Sequence, residues 1–68
     1  MNEIIFLVAE DPEGGYTAKA LGHSIFTEAD DLKVLNQKVR DAILCHFDPG
    51  QTPKMVRMHF VKEEVFAV

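Results

Sequence analysis

The turn predicted at residues 11–15, which read DPEGG, constrains the fold of this 68-residue chain more than any other feature. Pro12 presets its own φ angle, and the two glycines supply the positive-φ positions that a tight hairpin loop requires. The run Ile4–Ala9 before the turn is β-branched and aromatic, which is typical of a strand buried on both faces. The alternating run Tyr16–Ala20 follows it. The sequence therefore predicts two antiparallel strands joined at this turn.

Three more elements are predicted in the order strand, helix, strand. A turn at residues 21–24 leads to a short strand, Ile25–Ala29, and the last strand is Met55–Val61. Between them we expect a helix from about residue 32 to residue 47, with Asp30 or Asp31 as its N-cap and the Asp-Pro-Gly sequence at 48–50 as its stop. Apolar residues at helical spacing form its buried stripe: Leu32, Leu35, Val39, Ala42, Ile43 and Phe47.

These elements predict a single α+β domain over residues 1–68, with the order β-β-β-α-β. We expect an antiparallel sheet with one helix packed on one face, so that the other face is either solvated or an interface. The apolar tail Val65–Val68 is expected to pair as a strand, within the domain or with a second subunit. A chain this short buries only about 60% of its unfolded surface. One cysteine allows no internal disulfide, so self-association is expected.

The charge of the chain argues against free-standing nucleic-acid binding. Its formal net charge is −4, whereas a protein that neutralises phosphates normally carries a basic surface. Mild acidity suits a basic protein partner, and it is equally compatible with a role in solubility alone. The N-terminus has neither a basic region nor a cleavage-site pattern, and Ile4–Ala9 is far shorter than the ~20 apolar residues of a membrane helix. We therefore expect a cytoplasmic protein that makes no membrane contact.

No residue pattern predicts an active site, a cofactor site or a metal site. His23, His46 and His59 lie in a turn, near a helix end and in a strand, and none belongs to a catalytic motif. Cys45 is expected to be structural and buried or half-buried, because its sequence neighbour His46 does not lie on the same side of the helix to activate it. The glycine pair precedes a strand and lacks the phosphate-loop spacings. We therefore expect a protein that is not an enzyme.

Several short segments resemble the N-terminal domain of HicB-type antitoxins. They are an acidic turn followed by Gly-Gly-Tyr at 13–18, a Leu-Gly-His segment at 21–23, and a capped helix that starts at 30–32. In that family a cysteine is common where His23 stands, and Thr or Ser caps the helix where Asp31 stands. The resemblance covers about residues 3 to 47.

The resemblance implies a partly RNase-H-like or dsRBD-like β-β-β-α-β fold that forms dimers or tetramers. It also implies that the chain binds a small basic, HicA-like toxin that cleaves mRNA. Full-length antitoxins of this type carry a C-terminal DNA-binding domain, whereas here only a short tail follows the last strand. DNA binding by this chain is therefore not expected.

Two surfaces are candidates for contact with a partner. The first is acidic and lies around the hairpin turn and the start of the helix: Glu10, Asp11, Glu13, Tyr16, Glu28 and Asp30. Its carboxylates would meet the RNA-binding cations of a basic toxin. The alternative is an RNA-facing surface made of Lys54, Arg57 and His59. A further alternative, a small-molecule or enzymatic site between subunits, has no motif to support it.

Overall fold

The computed structural model of the protein describes residues 2–62 and 65–68. It confirms a small α+β domain with the predicted order of elements. They are β1 (Glu3–Glu10), β2 (Tyr16–Ala20), β3 (Phe26–Ala29), α1 (Leu32–His46) and β4 (Met55–Val61). No helix in the described part of the chain has the length and apolarity needed to cross a membrane.

The four strands form one sheet in the order β3-β2-β1-β4. The strands joined by hairpins are antiparallel as predicted, with Phe6 opposite Ala20 in β2 and Tyr16 opposite Ala29 in β3. The prediction of a wholly antiparallel sheet is wrong at β4, which runs parallel to β1 with Phe6 opposite Met58. The reason is the returning helix. It carries the chain back across the sheet, so that β4 starts at the same end as β1.

The core lies between α1 and one face of the sheet. The predicted stripe of the helix faces it: Leu35, Val39 and Ile43 are buried, and the other three members are half-buried and packed against them. The sheet contributes alternate residues, which are Ile4, Phe6 and Val8 from β1 and Ala18 and Ala20 from β2, together with Ile25 just before β3. The helix packs over β3 and β2.

The helix begins and ends at its local signals. Asp31 is the N-cap, and its carboxylate accepts a hydrogen bond of 2.8 Å from the Val34 N–H. Asp30, the other predicted cap, is exposed and takes no part in capping. The helix ends at His46, within one residue of the predicted end, and the Phe47 N–H makes the last bond, to the Ile43 carbonyl at 3.1 Å.

The strand β4 and the tail after it lie outside the cover of the helix. The Phe60 side chain on β4 is 60% exposed, and Phe66 in the tail is 77% exposed. Residues 65–68 form no regular structure, so, of the two pairings left open for the tail, the one within the domain does not occur. The radius of gyration, 13.3 Å, exceeds the ~11 Å of a compact domain of this length.

Candidate functional site

An open cleft of about 470 Å³ lies where the β1–β2 turn meets the junction between β3 and α1. Its lining is mainly acidic: Asp11, Glu13, Glu28, Asp30 and Asp31 contribute carboxyl groups, and Tyr16, Val34 and Lys38 contribute the other side chains of note. The sequence alone predicts five of these residues as a partner site, from Asp11 through Asp30. The fold brings together two acidic segments that lie about 15 residues apart in the chain.

The turn that forms one wall is closed by its own hydrogen bonds. The Asp11 carbonyl accepts from the Gly14 N–H, and the Asp11 N–H donates to the Gly15 carbonyl, both at 2.9 Å. The Asp11 carboxylate accepts from the Glu13 N–H at 2.9 Å. Asp at the first position, Pro at the second and Gly at the fourth are the residues that a type I turn favours. The Asp11 carboxylate therefore serves the turn, and the Glu13 side chain is left exposed.

Gly15 joins this turn to the opposite wall. Its φ angle is +84°, and a Cβ atom added there would lie 2.7 Å from the Ala29 carbonyl oxygen. Any other residue would combine backbone strain with a clash against backbone. Gly15 thus fixes the distance between the hairpin turn and the end of β3, and with it the width of the cleft.

The second wall comes from the end of β3 and the first turns of α1. The Lys38 ammonium donates a hydrogen bond of 3.1 Å to the Glu28 backbone carbonyl, which ties the helix to β3. The Asp31 carboxylate is used in the helix cap. Within residues 2–62 and 65–68, the carboxylates of Glu13, Glu28 and Asp30 accept no hydrogen bond. These three acids are therefore free to bind a cation from outside.

The charges in the cleft are unbalanced. Among residues 2–62 and 65–68, five of the nine acidic residues line it, against one of the seven Lys and Arg residues, Lys38. The ring of Tyr16 is half-buried beside them, and an aromatic face adds cation–π attraction to a guanidinium or ammonium group. The described residues contain no group of three or more side chains spaced to hold a metal ion. The surplus of carboxylates beside an aromatic ring suits the cleft to a guanidinium or ammonium group.

Glu10, the sixth predicted residue, lines a neighbouring groove of about 670 Å³. Tyr16 and Asp11 form the wall that the groove shares with the cleft, and Phe60 and Val65 form its far side. Sequence reasoning missed Val34 and Lys38 in the cleft. Their signal is the spacing of residues 31, 34 and 38, which places them on one side of the helix that starts at the predicted cap.

The residues of the alternative RNA-facing surface lie only partly together. Arg57 and His59 share the face of β4 that points away from α1, but Lys54 precedes the strand, where its backbone N–H donates to the Asn2 carbonyl. The Arg57 guanidinium donates to the Glu3 carboxylate. This hydrogen bond raises the pKa of Arg57 and lowers the pKa of Glu3. The charge of Arg57 is therefore already paired.

The other histidines have packing roles. His23 is half-buried, with its ring centroid 5.0 Å from that of Phe47 and 5.8 Å from that of His46, in edge-to-face arrangements. Cys45 is exposed, contrary to the expected burial. This aromatic cluster closes the C-terminal end of the helix over the turn that contains His23, and it lies outside the cleft.

Two proteins of other organisms are similar to this chain over most of its length. A UPF0150 protein of Archaeoglobus fulgidus is 56% identical over 52 residues, which are 76% of this chain and 77% of that protein. A UPF0150 protein of Thermotoga maritima is 44% identical over 66 residues, which are 97% of this chain and 93% of that protein. No family model and no solved structure gives a significant match.

Proposed function

The chain belongs to the UPF0150 family, and we propose that it is a non-enzymatic binding module whose acidic cleft receives a basic side chain of a partner protein. The observation that carries this proposal is the concentration of five carboxyl groups in one cleft, of which Glu13, Glu28 and Asp30 accept no hydrogen bond within the described residues. An arginine or lysine entering the cleft would find these acids around its cation and the Tyr16 ring beside it.

The cleft is pre-organised for this role. The backbone hydrogen bonds of the turn, the contact at Gly15 and the Asp31 cap hold both walls before any partner arrives. Binding therefore orders few side chains, which keeps its entropic cost low. Complementary charge across the contact would raise the association rate and make it sensitive to salt.

The resemblance to HicB-type antitoxins implies a partner protein that carries such basic side chains. We propose that the chain is the antitoxin of a cytoplasmic toxin–antitoxin pair and sequesters a small basic toxin that cleaves mRNA. The acidic cleft would take up a cation that the toxin uses to hold RNA. A toxin held in this way loses access to its substrate without any chemistry by the antitoxin.

The test is co-purification with the small basic protein encoded by a neighbouring gene. Glu28→Gln with Asp30→Asn removes two cleft carboxylates and should weaken the complex at least ~10-fold, which corresponds to about 1.4 kcal/mol. Asp41→Asn with Asp48→Asn is the matched control, since both residues are exposed and lie outside the cleft. It makes the same change in net charge and should leave the affinity within ~3-fold.

Equal weakening by the two pairs would show that only net charge matters and would overturn the role of the cleft. If no neighbouring gene encodes a small basic protein, the antitoxin assignment fails. The RNA-binding alternative stays a prediction, and a filter-binding titration against structured RNA separates it. Saturable RNA binding that Arg57→Gln weakens, with a steep salt dependence, would favour the alternative.

A further inference from the structure

The outer side of β4 carries unpaired backbone groups along an uncovered strand. The Met55 N–H donates to the Asn2 carbonyl at 2.9 Å, so residue 55 and every second residue after it face β1. The N–H and C=O groups of the residues between them, Val56, Met58 and Phe60, point away from the sheet. The strand contains no proline, and its one Lys or Arg residue, Arg57, is paired with Glu3 of the neighbouring strand, so the usual means of blocking an edge are missing.

We propose that two copies of this chain pair through their β4 edges, antiparallel about a two-fold axis at Met58, and form one continuous eight-stranded sheet. In this register Met58 lies opposite Met58, and Val56 lies opposite Phe60 of the second copy. All three outward-facing residues of each strand then exchange hydrogen bonds, about six in total. A two-fold axis perpendicular to the sheet leaves the same face of both copies on the same side of the continuous sheet. The exposed apolar side chains of one copy therefore lie beside those of the other.

The uncovered apolar area is enough for a pair of copies. Phe60 and Phe66, which are 60% and 77% exposed, offer roughly 200–300 Å² per copy. The aliphatic side chains add a similar area: Met55, Val56, Val61, Val65 and Val68 are all exposed. Two copies together offer on the order of 1,000 Å², which is the lower limit for a specific interface.

The distribution of charge also favours a second copy at this edge. Each chain carries a net charge of −4, so two copies repel unless they meet where charge is sparse. The acidic cleft lies at the β3 side of the sheet, and the groove lined by Glu10 separates it from Phe60 on β4. On β4 itself the Arg57 charge is paired with Glu3. The proposed dimer therefore places its two acidic clefts at opposite outer edges, where both remain open to partners.

The test uses two double variants that differ only in one charge sign. Val56→Lys with Phe60→Lys places lysine opposite lysine across the proposed contact, twice. Val56→Glu with Phe60→Lys places opposite charges there, while within one copy these two positions lie ~13 Å apart and do not pair. Analytical ultracentrifugation between 1 and 100 μM should show a dimer for the wild type, a monomer for the first variant and a salt-sensitive dimer for the second.

A wild type that is monomeric at 100 μM would overturn the proposal, as would two variants with the same association state. Circular dichroism confirms that both variants fold.

A second measurement does not depend on charged side chains. Met58→Cys in a Cys45→Ser background should form an intermolecular disulfide at micromolar concentration, because directly opposed residues lie about 5.5 Å apart between Cα atoms. Asn36→Cys, on the exposed side of α1, is the control and should not cross-link.

Discussion

The two edges of the sheet differ in length, cover and charge. The β3 edge has four residues, lies beneath α1 and offers its Glu28 carbonyl to Lys38. The β4 edge has seven residues and no helix over it, and the residues after it include the exposed Phe66. The β3 edge carries the acidic cleft, and the β4 edge carries the largest group of exposed apolar side chains.

This difference follows from the size of the domain. One helix of 15 residues cannot cover a four-stranded sheet, and α1 lies over β3 and β2 because its connection to β3 is short. The strand that the chain adds last is therefore the one left without cover. A small domain with one uncovered apolar edge and one polar edge covered by the helix therefore presents two chemically different surfaces.

The largest expected effect in the monomer lies on the covered side, at Gly15. Gly15→Ala forces an alanine to φ +84° and its Cβ to within 2.7 Å of the Ala29 oxygen, so the turn and β3 must separate. We expect a loss of about 3 kcal/mol in the free energy of unfolding, from strain and displaced backbone together. Urea unfolding at a fixed protein concentration measures it.

Gly22→Ala is the matched control for this variant. Gly22 has a φ of +80°, close to that of Gly15, but a Cβ atom there meets nothing within 4 Å. It should cost only the strain of a left-handed alanine, about 1–2 kcal/mol. If the two variants cost the same, the contact between Gly15 and Ala29 does not hold the walls of the cleft together.

A smaller loss of stability is expected from replacing Lys38, which donates a hydrogen bond to a backbone carbonyl of β3. Lys38→Met keeps the length of the side chain but loses the hydrogen bond to the Glu28 carbonyl, which should cost about 0.5 kcal/mol for an exposed interaction. Hydrogen exchange should accelerate at the β3 amides, because that strand is no longer tied to the helix. Arg40→Met is the control on the same helix. Equal exchange at β3 in both variants would contradict a specific role for Lys38.

Local signals in the sequence predict the elements of this fold well. The strands Tyr16–Ala20 and Met55–Val61 have the predicted bounds, because alternation and flanking turn residues define them without any tertiary context. The choice between Asp30 and Asp31 as N-cap is different. The choice depends on which carboxylate accepts a hydrogen bond from the backbone N–H three residues later. Residue type alone does not distinguish two adjacent aspartates.

The features that the sequence could not predict depend on how the helix and the strands pack together. The parallel pairing of β4 with β1 follows from the path of the returning helix, and no residue of β4 encodes its direction. Lys38 lines the cleft because α1 packs against β3. Glu3 contacts Arg57 because β1 and β4 pair in the sheet, although the two residues are 54 positions apart in the chain. The exposure of the acidic residues is predictable, because charge keeps their carboxylates at the surface whichever way the chain folds.

The smallest expected effect is a pH dependence on the uncovered side. The hydrogen bond from Arg57 lowers the pKa of Glu3 below its ordinary 4.5, and both groups are exposed. The contribution of this pair is fully present above pH 4.5 and is lost as the pH falls through the lower pKa of the folded state. The urea midpoint of the wild type should therefore fall more between pH 5 and pH 3 than that of Glu3→Gln.

In an Arg57→Gln background, Glu3→Gln should not change the pH profile, because the carboxylate has lost the donor that lowers its pKa. A difference of the same size in both backgrounds would mean that β1 and β4 gain nothing from this pair, and that the β4 side is held by its backbone ladder alone.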